Sequence, residues 1–197
     1  MIAARIRPAA FALAALTPLA ADLPAAAEPW QLDRERAAVS FSLAHAGFAM
    51  VEGRFNAFDA AIDFDPSSGA AASVSFSIEA ASIDTGWETR DDFIRGGALL
   101  DVDDYPSITF VSHTIETLSD QRALVTGLVT IKGVSREETF DVTLNSLAPS
   151  AEAGGALVAD VTVQGQIDRT DYGVSAFAPA VASTMALRVD LAASPRP

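Results

Sequence analysis

From Val39 onward, hydrophobic residues recur at every second position, and the pattern returns in segment after segment. Val39, Phe41, Leu43 and His45 fall on one face of an extended chain, Ser40, Ser42 and Ala44 fall on the other, and Gly47 opens a turn. Val51, Gly53 and Phe55 follow. The phase then slips near Asn56-Ala57, which predicts a bulge, and Phe58, Ile62 and Phe64 carry the alternation to a turn at Asp65-Pro66-Ser67-Ser68-Gly69. Further strands are expected around Val74-Phe76-Ile78, Ile108-Phe110, Leu124 to Ile131, Phe140-Val142-Leu144, Val161 to Ile167 and Met185 to Leu191. A period of two repeated in this way is the mark of half-buried antiparallel sheet.

The predicted class is therefore all-β, with eight antiparallel strands. Short polar turns between the strands fit an up-and-down barrel or a sandwich, and closure removes exposed strand edges. About eight strands give a barrel interior just wide enough for side chains or for one small ligand. One segment departs from the pattern. Between Ser82 and Phe110 the alternation gives way to charges and aromatics, and Glu88 to Arg95 reads as a short helix inserted between strands. Asp84 and Thr85 are expected to cap it, Gly86 to take a turn, and Tyr105-Pro106 to force an extended re-entry into sheet. Pro149 to Gly155 reads as a surface loop.

Residues 1–27 do not belong to this pattern. Arg5 and Arg7 precede the apolar run Phe11 to Leu16, and small residues follow up to Ala25-Ala26-Ala27, as in a secretory signal peptide. Pro8, Pro18, Asp22 and Pro24 interrupt any span of about 20 apolar residues, so no integral membrane segment is expected after processing. The expected location is the bacterial periplasm. Residues 28–197, roughly 170, suit a single domain.

Composition narrows the chemistry. The chain contains no cysteine, which excludes disulfides, thiol catalysis, cysteine metal sites and a lipid-modified N-terminal cysteine. A formal net charge of −13 repels nucleic acid and anionic membrane surfaces. Eleven phenylalanines against two tyrosines and two tryptophans supply apolar aromatic surface with few polar handles. Phe41, Leu43, Phe55, Phe76, Ile78, Phe110 and Phe140 either fill the barrel or line a cavity in it. His45, on the same face, is read as pointing inward, either as a hydrogen-bonded core histidine or as a contact to a ligand head group. His45 and His113 lie in separate strands, and no metal site is expected. Arg90, Asp91 and Phe93 on the predicted helix, and Arg169 with Tyr172, are candidate mouth residues; for Arg90, Asp91 and Arg95 the competing role is an internal salt bridge that docks the helix. Arg169 and Asp171, beside Tyr172-Gly173, carry the same two readings, with a structural turn the favoured one.

Several motifs in order carry a family resemblance. WQLDRERAAVSFSLAHAGFAMVEGRF from Trp30, then AIDFDP and SIDTG, then TRDDFIRGGALLDVDDYPSITFVS, GLVTIKGVSREETFDVTL and IDRTDYGV resemble the YceI-like family of periplasmic, lipocalin-like, polyisoprenoid-binding proteins. Leu99-Leu100 stand where the family often carries two aromatics, and Glu137-Glu138 where it often carries proline. The resemblance implies an eight-stranded antiparallel lipocalin-like barrel around a long apolar cavity that holds an isoprenoid lipid or isoprenoid quinone, with no further cofactor. Binding without chemistry is the leading expectation. The alternatives are an enzyme using His45 with Asp91 or Asp168 as acid and base, although no Gly-x-Ser-x-Gly motif is present, and an interaction protein with a solid barrel. A homodimer is compatible with either binding role.

Overall fold

The computed structural model describes residues 27–47, 49–65 and 70–196, so the expected signal peptide, residues 1–26 of it, and most of the turn after Asp65 lie outside the described residues. Ten strand segments build one sheet: β1 (Glu28–His45), β2 (Ala49–Phe55), β3 (Phe58–Asp65), β4 (Ala70–Glu79), β5 (Ile83–Asp84), β6 (Ser107–Ser119), β7 (Arg122–Ile131), β8 (Val134–Pro149), β9 (Leu157–Asp168) and β10 (Thr184–Pro195). All pairings are antiparallel: β1 pairs with β2 and with β3, β5 pairs with β2, β3 pairs with β4, β4 with β6, and β6 to β10 pair in succession before β10 returns to β1. The result is a closed up-and-down barrel. It counts as eight-stranded because β2 and β3 run end to end along β1, and β5 prolongs β4 beyond a short 3-10 turn.

The predicted bulge at Asn56-Ala57 is a full interruption. β1 pairs with β2 from Val39 to His45 and with β3 from Glu28 to Gln31, while Asn56 N–H donates to Ser82 O and Ala57 O accepts from Glu79 N–H. The backbone groups that leave β1 are thus satisfied by the end of β4 and the 3-10 turn after it. The strand expected from Val39 also begins earlier, at Glu28, because its first half pairs with β3 and β10 around an irregularity between Asp33 and Ala38.

The one α-helix among the described residues, α1 (Glu88–Arg95), has the predicted bounds. Glu88 and Asp91 lie in its first turn and Arg95 in its last, each sign suited to the helix dipole. Asp84 and Thr85 do not cap it. The N-cap position is Trp87, without a side-chain cap; Asp84 Oδ1 accepts from Gly86 N–H at 2.8 Å, and Asp91 reaches back to accept from Thr85 N–H at 3.0 Å and from the Thr85 hydroxyl. Leu99 and Leu100 are buried in the main core, filling the positions where aromatics were expected by resemblance. Lys132 donates to Gly97 O at 2.7 Å, and so ties the insert to the β7–β8 turn. Among the described residues, no helix is long and apolar enough to cross a membrane.

Candidate functional site

Inward residues of the barrel surround an apolar cavity of about 630 Å³ that runs its length. It is bounded at one end by α1 and the segment from Val174 to Val181, and at the other by Trp30 and Phe64. Large rings do not choke it because three of them lie flat against the wall. Phe41 covers Gly53, Phe110 covers Gly127 and Phe140 covers Gly165, each across a strand boundary. A methyl group on any of these glycines would fall 2.3 to 2.7 Å from the ring carbons. Only a residue without Cβ lets the ring drop onto the sheet, and what the ring vacates is lumen. Phe41 and Phe55 stand 5.6 Å apart and Phe110 and Phe140 5.5 Å apart, so the flattened rings also buttress one another.

The end of the barrel where β1 begins and β10 finishes is plugged on one side. Trp30, 1% exposed, meets Phe64 edge to face at 4.7 Å within a small cluster that includes Ala159 and Ala193. Its indole N–H has no hydrogen-bond partner, the lone such buried side-chain atom among the described residues.

The opposite end is a rim with polar and aromatic character. Trp87 (60% exposed), Phe93 and Phe177 line its opening, with the Phe93 and Phe177 rings 5.3 Å apart. Arg90 lines it too. Its guanidinium donates to Thr85 Oγ1 and Thr85 O, both at 2.7 Å, and sits 5.7 Å from the Trp87 ring. Of the three residues considered for an internal salt bridge, Arg95 forms one, with Glu88 and Asp92, whereas Arg90 and Asp91 both converge on Thr85. Docking of the helix falls to Arg95, which donates to Ala81 O at 2.9 Å and Ile83 O at 3.0 Å while pairing with Glu88 and Asp92.

Arg169 is the clamp of the other half of the rim. It is 8% exposed and donates to the carbonyls of Ala182, Val174, Ala176 and Val181, gathering the whole segment after it. Burial lowers its pKa, partly offset by the neighbouring Asp168. Asp168 accepts from Thr170 N–H and hydroxyl and from the Ser183 hydroxyl, contacts that hold its carboxyl below the usual range. Backbone bonds from Ala46 to Ala180 and from Ala182 to Ala44 then seat this segment on the end of β1.

The thirteen residues singled out from sequence divide clearly. Phe41, Leu43, Phe55, Phe76, Ile78, Phe110 and Phe140 line the cavity wall, and His45, Arg90, Phe93 and Arg169 line its mouth. Asp91 and Tyr172 do not line it: Asp91 is turned to Thr85, and Tyr172 is fully buried with its hydroxyl on Glu138 at 2.8 Å. His45 is not a core histidine. It ends β1 at the rim, exposed, with its backbone bridged to Val181. Neither Asp91 nor Asp168, the acids considered as its partners, is hydrogen-bonded to it; both are occupied by threonine and serine donors. His113 lies outside the barrel, 3.0 Å from Glu137, and among the described residues no group of three or more metal-ligating side chains comes together. Sequence reasoning missed the three glycines under the phenylalanines, Trp87 and Phe177. The glycines did stand at inward positions of predicted strands, which was the available signal.

Comparison with known proteins agrees with this architecture. A crystal structure of a Campylobacter jejuni YceI protein superposes with a TM-score of 0.73 at 26% identity, covering 78% of this chain and 90% of that one. Burkholderia cenocepacia BcnA superposes at 0.72 with 27% identity, covering 82% and 98%. A polyisoprenoid binding domain from Saccharophagus degradans shares the fold at 0.59 and 15% identity, covering 85% and 98%. A UPF0312 protein of Staphylococcus aureus strain MSSA476 is 32% identical over 143 residues, 73% of this chain and 80% of that protein. The YceI-like domain matches residues 30–193, nearly the entire barrel, and the chain belongs to that family.

Proposed function

We propose that this protein binds a long-chain amphiphile, an isoprenoid lipid or isoprenoid quinone, inside the barrel, and acts by sequestering it from water without changing it covalently. The observation that carries this reading is the length-wise apolar cavity kept open by the pairs Phe41–Gly53, Phe110–Gly127 and Phe140–Gly165. A barrel built only to be stable gains by filling its centre, since unfilled volume forfeits dispersion contacts. Each methylene of a guest withdrawn from water contributes about 0.8 kcal/mol, so a long tail needs few polar contacts. The polar end of the ligand sits at the α1 rim, where Arg90 and His45 are the available hydrogen-bonding side chains and Trp87, Phe93 and Phe177 can flank a planar head group.

The binding reading is favoured over an acid–base enzyme because the carboxylates nearest in sequence logic to His45 are committed elsewhere. The S. degradans domain of the same fold is described as polyisoprenoid binding, which is consistent with this use of the barrel. The signal-peptide pattern supports export to the periplasm as the place of action. The test is extraction of the protein purified from its native host, mass spectrometry of the extract, and titration of the stripped protein with ubiquinone and polyprenyl phosphate followed by tryptophan quenching. Co-purified prenyl lipid with saturable uptake is expected. An empty barrel that takes up neither compound would overturn the proposal.

A further inference from the structure

The barrel closes unevenly. β4 and β6 share paired positions only from Ser75 opposite Val111 to Glu79 opposite Ser107. Yet β4 stays paired with β3 back to Ala70, and β6 stays paired with β7 out to Ser119. Among the described residues, 70–74 and 112–119 therefore diverge without a backbone ladder between them. The tie at the fork is a side chain, Ser112 Oγ, which accepts from Val74 N–H at 2.9 Å.

The divergence has a local cause. Ser112 lies opposite Gly127 and Thr114 opposite Thr126, which leaves His113 as an extra residue in β6. Such a bulge bends its strand and increases the twist. It also reverses the alternation, so that Ile108 and Phe110 line the cavity before it and Ile115 and Thr117 line it afterwards, and a second extra residue, Leu118, precedes Ser119 at the cavity's edge. His113 itself reaches across β7 to Glu137 on β8, at 3.0 Å, and holds β6 to that side of the fork.

The two unpaired edges flank the lumen. Ala71 and Val74 on β4 line the cavity, as do Ile115, Thr117 and Ser119 on β6, and Thr117 and Ser119 are exposed. Trp30 and Phe64 plug the same end of the barrel, so the seam is the way out that the plug leaves. Beside it, on the outer face of β6 and β7, Val111, Leu118 and Leu128 are each about half exposed, at 55%, 48% and 48%. An open strand edge next to exposed apolar side chains is a hazard that natural sheets cover.

We infer that the seam between β4 and β6 is a second, lateral opening of the cavity, through which the tail of a ligand longer than the barrel emerges onto the outer face of β6 and β7. This rests on the proposed lipid binding. A blind barrel sets an upper limit on chain length, because carbons that do not fit must fold back or remain outside the mouth. With an open seam the head group is selected at the α1 rim and the tail length is not.

A chain without cysteine makes the test direct. Thr117→Cys places one thiol in the seam and Phe177→Cys places one at the rim; Ser119→Cys repeats the seam position should the first variant fold poorly. Each variant is loaded with a short-tailed or a long-tailed ubiquinone homologue, and labelling by a water-soluble maleimide is timed. Thiol reactivity follows access, so the long homologue is expected to slow labelling at Thr117→Cys about tenfold while the short one leaves it within about twofold. Both homologues are expected to protect Phe177→Cys. Equal labelling of Thr117→Cys with the two homologues, while Phe177→Cys is protected, overturns the lateral opening and leaves lipid binding intact. Protection of Thr117→Cys without lipid, rising with protein concentration, also overturns it, assigning the seam to a second copy of the chain. Failure of either homologue to bind or to protect Phe177→Cys overturns the lipid-binding reading, and this inference with it.

Discussion

Arg169→Lys isolates what the rim clamp does, since it keeps the charge and removes the planar fork. The wild-type guanidinium donates to four carbonyls, those of Ala182 at 2.9 Å, Ala176 at 3.1 Å, Val181 at 2.8 Å and Val174. These acceptors are spread over nine residues of chain, from 174 to 182. A lysine ammonium presents its donors from one point and meets about two of the four. Charged hydrogen bonds contribute about 1.5–3 kcal/mol each, and the freed carbonyls lie near enough to the surface to rehydrate, so the lower end applies and the loss is about 3 kcal/mol. For a domain of this size that corresponds to a fall in Tm of about 6–12 °C if the loss is global. If the segment opens on its own, the same energy speeds exchange of the Ala46 and Ala182 amides about a hundredfold, because those amides bond across to Ala180 and Ala44. Thermal unfolding by circular dichroism and amide exchange by mass spectrometry distinguish the two. A Tm within about 2 °C of wild type, together with unchanged exchange at both amides, would refute the clamp, because a surface substitution away from such features has effects that small.

Gly165→Ala puts a Cβ 2.4 Å from Phe140 Cδ1 and must push the ring into the lumen; overpacking of this kind costs about 1–3 kcal/mol, and uptake of ubiquinone is expected to fall with it, measured by denaturant unfolding and tryptophan quenching. Tyr172→Phe deletes the 2.8 Å bond to Glu138 and is expected to cost about 1 kcal/mol in urea unfolding. The Tyr172 hydroxyl is held far above its ordinary value of 10.0, first by burial and then by Glu138. A folded value raised in this way favours the neutral form, so its stabilising contribution is complete below pH 10 and is lost as pH rises past it; absorbance titration should show one tyrosine ionising only with unfolding. Asp168 has the opposite sign: Thr170 and Ser183 depress its pKa, so the contribution is present above the ordinary carboxylate value and disappears as pH falls through the folded one. Asp168→Asn is expected to flatten the acid limb of the stability profile, and an unchanged limb would remove Asp168 from the account.

Much of this molecule is legible along the chain. Alternation alone locates all eight barrel strands, since side chains in a strand point to opposite faces and any half-buried strand must alternate. The helix from Glu88 to Arg95 is legible for the same local reason, its residues lying within two turns of one another. The wall residues follow as well, because Phe41, Phe76 and Phe140 share the inward parity of their strands. Local pattern fails where a residue's role depends on how the chain folds back around it. Arg90 and Asp91 are adjacent and opposite in charge, yet both turn to Thr85, because folding brings the end of β5 beneath the helix. His45 has the parity of a core residue but stands at the last position of β1, where the barrel has already opened.

The sequence by itself determined the strands, the insert, the absence of thiol chemistry and the family pattern, all properties of residue type and short spacing. Only the tertiary structure decided that the barrel is hollow, that Arg169 binds its own backbone and that β4 parts from β6. The first and last depend on register between separate strands: Phe140 clears the lumen because Gly165 lies beside it on β9, and β4 parts from β6 where an extra residue, His113, shifts β6 against β7. Periodicity states which face a side chain takes; pairing across the barrel states what it meets there.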